Sequence, residues 1–143
     1  MTLRVAAFLS GKGSTIKALL EGQGKYRIVA LVSDTTDSAK CAIKEIAEEH
    51  KLPYLARDIK AFYTKREKPL KDMDVRKEFD LETAQWLEQH NIEAIALAGY
   101  MSLITSPLYE NFITLNSHPT DLSISDDQGH RRFAGAHAMK DAI

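Results

Sequence analysis

A doubly wound, largely parallel α/β sheet is the fold class that this sequence predicts. Three observations carry the prediction. Short apolar runs alternate with helix-period patterns from residue 3 to residue 115. The runs are nearly continuous in apolar and β-branched residues, as strands covered on both faces are. Glycine, proline or small polar residues separate each run from the pattern that follows it.

The first strand is read at residues 3–9, ending at Ser10-Gly11-Lys12-Gly13. Ser14 or Thr15 is then placed to cap a helix with apolar positions at Ile16, Leu19 and Leu20, which Gly22 and Gly24 end. Tyr26 to Val32 is the second strand. After a polar segment from Asp34 to Ser38, the residues Ala39, Ala42, Ile43, Ile46 and Ala47 recur at helical spacing up to His50. Cys41 falls within that helical stretch and reads as core or flank rather than nucleophile. Leu52 to Leu55 is a short third strand, and the charged stretch from Asp58 to Asp74 reads as a mobile surface loop. Val75 to His90 is a helix with Phe79, Thr83, Trp86, Leu87 and His90 on one face. His50 and His90 each close a helix, where an imidazolium suits the dipole. Ile92 to Ala98 is the fourth strand, ended by Gly99-Tyr100. Ser106-Pro107 opens a short helix, and Phe112 to Leu115 is the fifth strand.

The chain of 143 residues is expected to form one domain, residues 1–143, with no repeat, low-complexity tract or internal boundary. Its 44% hydrophobic and 27% charged residues are ordinary for a globular protein. A formal net charge of −1 gives no electrostatic reason to expect nucleic acid or a membrane surface as partner. One cysteine, Cys41, excludes a disulfide within this sequence and fits a reducing compartment. The apolar start is too short to span a membrane and leads straight into a glycine turn, so a cytoplasmic location is expected.

In doubly wound sheets ligands bind outside the carboxyl ends of the strands, and the chemically distinctive residues gather at those ends. Gly11-Lys12-Gly13-Ser14-Thr15 lies between the first strand and the first helix. There backbone N–H groups can approach an anion, Lys12 adds charge and Ser14 a hydroxyl. Ala6 stands where a Walker loop needs its first glycine, and Ile16 stands at the third glycine of the dinucleotide fingerprint, so neither motif is complete. A tight strand-to-helix turn with no ligand is the alternative reading.

Asn116-Ser117-His118-Pro119 follows the fifth strand. Asn116 and His118, at i and i+2, would share a face: an amide able to hold a developing oxyanion beside an imidazole able to move a proton near neutral pH. Simple turn chemistry is the competing account of the pair. Asp126, Asp127, His130 and His137 match no metal-ligand spacing and read as a solvated loop.

The segments Val5 to Thr15, Ala96-Leu97-Ala98-Gly99-Tyr100-Met101, Leu115 to Pro119, and Gly135-Ala136-His137 running into Asp141-Ala142-Ile143 together resemble the N-terminal part of the folate-dependent formyltransferases, which share a Rossmann-type sheet. The Gly-x-Gly-Ser loop is most like that of the enzymes acting on glycinamide ribonucleotide in purine biosynthesis. The resemblance implies that Gly13, Ser14 and Thr15, with Gly11 and Lys12, hold the phosphate of a small phosphorylated amine. Tyr100, Met101, Leu103 and Ile104 would line a pocket for the co-substrate 10-formyltetrahydrofolate. Arg66, in a segment like the family's Phe-x-Ser-Arg-Glu but one residue longer, would contact either ligand. Asn116 and His118 would be catalytic, with no metal. Neither nucleic acid nor membrane is an implied partner, and homo-oligomerisation is left open.

Against the family pattern, Ser102 replaces an arginine, Lys12 and Thr15 replace two asparagines, and Thr120 to Ala134 is longer and lacks a second proline. The family's catalytic aspartate lies a few dozen residues beyond the histidine, in a segment with no counterpart here. The chain is therefore expected to be a truncated form, or the ordered part, of a longer formyltransferase-like protein. Alone it is expected to be catalytically weak or inactive, since losing the partner of an acid–base histidine costs on the order of 10²–10⁴ in rate. The alternatives are a phosphate- or nucleotide-binding module without catalysis, and a formyltransferase for another amine, such as an amino sugar nucleotide or aminoacyl-tRNA.

Overall fold

The computed structural model describes residues 2–116. His118, the Thr120–Ala134 segment and the segment from Gly135 to Ile143 lie outside the described residues. Five strands form one sheet in the order β3-β2-β1-β4-β5, all parallel: β1 (Leu3–Leu9), β2 (Tyr26–Ser33), β3 (Tyr54–Ala56), β4 (Ala94–Leu97) and β5 (Ile113–Asn116). The chain winds outward from β1 to β3, then returns to the other side of β1 with β4. The point of reversal therefore lies between β1 and β4, where such sheets open a crevice at their carboxyl edge.

Alternation along the strands explains the two layers of core. Val5, Ala7 and Leu9 of β1 pack with Ile16 of α1 (Ser14–Glu21) and with Ile43 and Ile46 of α2 (Ile43–His50). Ala6 and Phe8 point the other way. They pack with Ala84 and Leu87 of α4 (Met73–Gln89) and Leu108 of α5 (Ser106–Tyr109). The register of β1 on β2 slips between Val5 and Ala6, so that Ile28 and Ala30 face consecutive residues and Val29 is the extra one. This bulge lets both Val29 and Ala30 join the α4 face while Ile28 and Leu31 stay on the α1 face.

Three expectations change. The stretch from Asp58 to Asp74 contains α3 (Ile59–Lys65), with Asp58 as N-cap accepting from Lys60 N–H at 2.9 Å and Ala61 N–H at 3.1 Å. Ile59 and Tyr63 lie on one face of α3 and bury against Val75 and Phe79 of α4, a satellite core that orders residues 59–65 as a helix and leaves residues 66–72 as the loop. Cys41 stands in the turn before α2, its Sγ 3.4 Å from the Ser33 hydroxyl, and is buried. Finally, neither Ser14 nor Thr15 caps α1: Gly13 is the N-cap residue, in the left-handed region at φ 79°, and Ser14 is the first helical residue.

Gly13 and Gly11 are glycines for different reasons. A Cβ on Gly13 would run into Ile46 Cδ1 as well as forcing a side chain into the left-handed region, whereas one on Gly11 would meet nothing within 4 Å. Urea denaturation of Gly13→Ala is expected to show a loss of at least about 1–2 kcal/mol, the cost of that conformation for a residue with a Cβ. Gly11→Ala is expected to stay within about 0.5 kcal/mol of the parent. Equal losses at the two positions would contradict this account.

Candidate active site

The carboxyl edge of the sheet is built by the ends of β1, β2 and β4. After β1, the chain runs Ser10-Gly11-Lys12-Gly13 and enters α1 with no side-chain cap. The N–H groups of the first turn are thus left open to an incoming acceptor. The loop is braced from behind: Ala42 N–H donates to Gly11 O at 3.0 Å, and Lys12 Nζ donates to Ala39 O at 2.6 Å.

Beside this loop, Asp34, just past β2, accepts from two serines. Ser10 Oγ donates to Asp34 Oδ1 at 2.6 Å, and Ser102 Oγ donates to Asp34 Oδ2 at 2.5 Å. Ser10 Oγ in turn accepts from Met101 N–H at 2.9 Å, and Ser10 N–H donates to Gly99 O at 3.0 Å. Gly99 takes the left-handed conformation, φ 81°, that turns the chain back after β4. The three strand ends are therefore joined through one buried carboxylate.

Ser10, Asp34, Met101, Ser102 and Leu103 form one side of a cleft of about 540 Å³, completed by Thr35, Asp37, Lys40, Asp58, Ile59, Lys60, Leu70 and Arg76. Met101 and Leu103 are 63% and 70% exposed, two apolar side chains held outward on a pinned backbone. The other two residues expected in a ligand pocket face inward. Tyr100 sits edge-on to Phe8 with ring centroids 5.1 Å apart, and Ile104 packs on the same core cluster. Burial, helped by Asp34 and Asp80, pushes the Tyr100 phenol well above its ordinary pKa, so it stays neutral.

The arginine on this cleft is Arg76, not Arg66. Arg76 Nε donates to Tyr63 Oη at 3.1 Å and its Nη1 to Leu103 O at 3.2 Å. Its described partners are neutral groups, and it has no carboxylate partner among the described ion pairs. Arg66 lies over the Phe62 ring at 3.5 Å and pairs with Glu78 at 2.9 Å, joining α3 to α4 away from the cleft lining. Sequence reasoning missed Arg76 because two arginines ten residues apart both lie in a charged stretch. The available signal was its position in the first turn of α4, four residues before a buried Asp80 on the same helix face.

Asp80 anchors the segment after Leu103. Its Oδ2 accepts from Thr105 N–H at 2.7 Å and Thr105 Oγ1 at 2.6 Å. Asn116 closes β5 opposite Leu97 and is exposed. It lies at the same edge of the sheet as the glycine loop and the cleft, while His118 lies outside the described residues. Among the described residues, no group of three His, Cys, Asp or Glu is placed to hold a metal ion, and no helix is long and apolar enough to cross a membrane.

A family model described as formyl transferase matches residues 3–143. The chain belongs to the formyl transferase family. Among curated proteins, this formyl transferase chain is 29% identical over 154 residues to the trifunctional purine biosynthetic protein adenosine-3 of Drosophila pseudoobscura pseudoobscura, covering 98% of the chain and 9% of that protein. Among solved structures it superposes on glycinamide ribonucleotide transformylase 1 of Symbiobacterium toebii with a TM-score of 0.72 and 26% identity, covering 99% of the chain and 59% of that protein. The phosphoribosylglycinamide formyltransferase of Campylobacter jejuni gives the same TM-score and identity, with 99% and 67% covered. The chain thus spans about three-fifths of the first of these structures and about a tenth of the curated relative.

Burial pushes the Asp80 carboxyl up from the ordinary range, against the opposing effects of its Thr105 bonds and of Arg76 and Arg57. A folded-state pKa above the unfolded value means that the folded state holds the proton more tightly. The resulting stabilisation is present below the unfolded pKa of about 3.9 and is lost as pH rises through the folded value. Asp80→Asn keeps an acceptor for Thr105 and removes the titration. Melting curves from pH 4 upward should therefore show the parent losing stability relative to Asp80→Asn as pH rises, and then levelling. Asp80→Ala, which orphans the Thr105 N–H, should cost about 1–3 kcal/mol. A parent that gains on Asp80→Asn with rising pH would contradict the assignment.

Proposed function

We propose that this chain is the formyl-transfer portion of an enzyme that moves a formyl group from 10-formyltetrahydrofolate to the amine of a small phosphorylated substrate of the glycinamide ribonucleotide type. The observation that carries the reading is the meeting, at one edge of the sheet, of an uncapped glycine loop, a partly apolar cleft with an arginine that has no carboxylate partner among the described residues, and Asn116. Gly11, Lys12, Gly13, Ser14 and Thr15 take the phosphate: open N–H groups at the start of α1 and the Lys12 charge suit an anion. Met101 and Leu103 give the folate an apolar wall, and Arg76 offers charge to its anionic end. Tyr100 and Ile104 support that wall from the core.

In the reaction, the substrate amine attacks the formyl carbon and the carbonyl oxygen gains negative charge. Asn116 donates to that oxygen, and His118 stabilises it when protonated and relays a proton to the departing nitrogen. Relatives named for this reaction, at 26% identity and closely similar in fold, support the reading.

Calorimetric titration of the purified chain tests it. Saturable binding of 10-formyltetrahydrofolate is expected, weakened about tenfold or more in Arg76→Gln and within twofold of the parent in Arg66→Gln, because a hydrogen bond to a charged group contributes about 1.5–3 kcal/mol. Lys12→Glu should weaken glycinamide ribonucleotide alone. Loss at Arg66→Gln with none at Arg76→Gln, or no binding of either ligand, would overturn the assignment.

A further inference from the structure

We infer that Asp34 is a positioning residue which, through the hydroxyls of Ser10 and Ser102, sets the backbone of the wall that faces the folate. The inference rests on the proposed reading of the cleft and goes beyond it, because Asp34 itself need not touch a ligand.

The geometry is a relay with fixed direction. A carboxylate oxygen only accepts, so both serines must donate to Asp34. With its proton committed to Asp34 Oδ1, Ser10 Oγ presents a lone pair to Met101 N–H, and the 2.9 Å contact shows that it is taken. The other oxygen, Oδ2, holds Ser102 directly. Two consecutive residues, Met101 and Ser102, are thus tied to one side chain from the end of β2, which is 7% exposed. Charge-assisted bonds of this kind are shorter and stronger than neutral ones, and burial removes competition from water. Met101 and Leu103, on either side of Ser102, keep their side chains toward the cleft only while this backbone holds.

Neighbouring contacts show why a carboxylate is needed. Ala98 N–H already donates to Phe8 O at 2.8 Å and Ser10 N–H to Gly99 O at 3.0 Å, so ladder-type bonds hold the chain as far as Gly99. Beyond Gly99, the described bonds from Met101 and Ser102 run to Ser10 and Asp34 alone. An asparagine at 34 can accept one serine hydroxyl through its oxygen, while the other hydroxyl would have to turn and accept from the amide group, so both charge-assisted bonds would become neutral ones.

Two measurements separate this role from a general loss of structure and from failure of the functional reading. Amide hydrogen exchange needs no ligand. In Asp34→Ala the Met101 amide should exchange at least about fivefold faster, with Ala98 unchanged, as expected for loss of one local hydrogen bond. Ser102→Ala, which leaves the Ser10 relay intact, should leave Met101 exchange near the parent value. In ligand titrations, Asp34→Ala should weaken 10-formyltetrahydrofolate about fivefold to tenfold and leave glycinamide ribonucleotide within twofold, with Asp34→Asn between Asp34→Ala and the parent. Unchanged exchange at Met101, or equal loss of both ligands, would overturn the inference. Should Asp34→Ala not fold, Ser10→Ala breaks the same relay: faster Met101 exchange there supports the inference, and unchanged exchange overturns it.

Discussion

The carboxylate of Asp34 is the constraint that holds the Met101–Leu103 wall against the end of β1. A parallel sheet brings the carboxyl ends of β1, β2 and β4 side by side, but its ladder bonds stop where the strands stop. Past that line each loop is free unless something polar ties it. Asp34 does so with both oxygens, joining Ser10 after β1 to Ser102 after β4. The glycine loop and the Met101–Leu103 wall therefore start from a common point, and the cleft between the strand ends has a fixed floor.

A second layer of support comes from α4. Arg76 reaches the Leu103 carbonyl and the Tyr63 hydroxyl, and Asp80, one turn later, holds Thr105. The segment from Met101 to Thr105 is thus pinned at its start by Asp34 and at its end by Asp80. Between the two anchors it presents exposed Met101 and Leu103 and turns Ile104 into the core. The carboxylates that line the cleft are engaged by local donors: Asp34 by hydroxyls, Asp37 by the Ala39 N–H, and Asp58 by the first turn of α3. What remains for a ligand is apolar surface and the positive charge of Arg76, Lys40 and Lys60.

Much of this was legible in the sequence. The strand-period runs gave β1 at Leu3–Leu9 without error and the other strands to within a few residues; in the largely buried β1, β2 and β4 the apolar record is nearly unbroken. The doubly wound order followed from the alternation of elements. The glycine loop and Asn116 were recognisable as features of strand ends. Less legible was α3, whose four apolar residues sit among lysines and arginines, although Asp58, immediately before its first residue, was a readable cap. Least legible were the long-range choices. Only the i, i+4 spacing of Arg76 to Asp80 on α4 distinguishes Arg76 on the cleft from Arg66, spent on Glu78 and Phe62. No local pattern announces that Ser10, Asp34 and Ser102 meet, since 24 and 68 residues separate the bonded pairs. Ser102 reads as a lost arginine in a family comparison, but in the fold it is a hydrogen-bond donor to Asp34.

The central claim is that the cleft beside β1 and β4 receives the reduced folate. Its most direct test is a map of backbone-amide protection on adding 10-formyltetrahydrofolate to the chain, read by hydrogen exchange. The account predicts protection gathered at Ser10, at Met101 to Leu103 and in the first turn of α4 around Arg76. Protection on the opposite, amino edge of the sheet, with none in these segments, would contradict it.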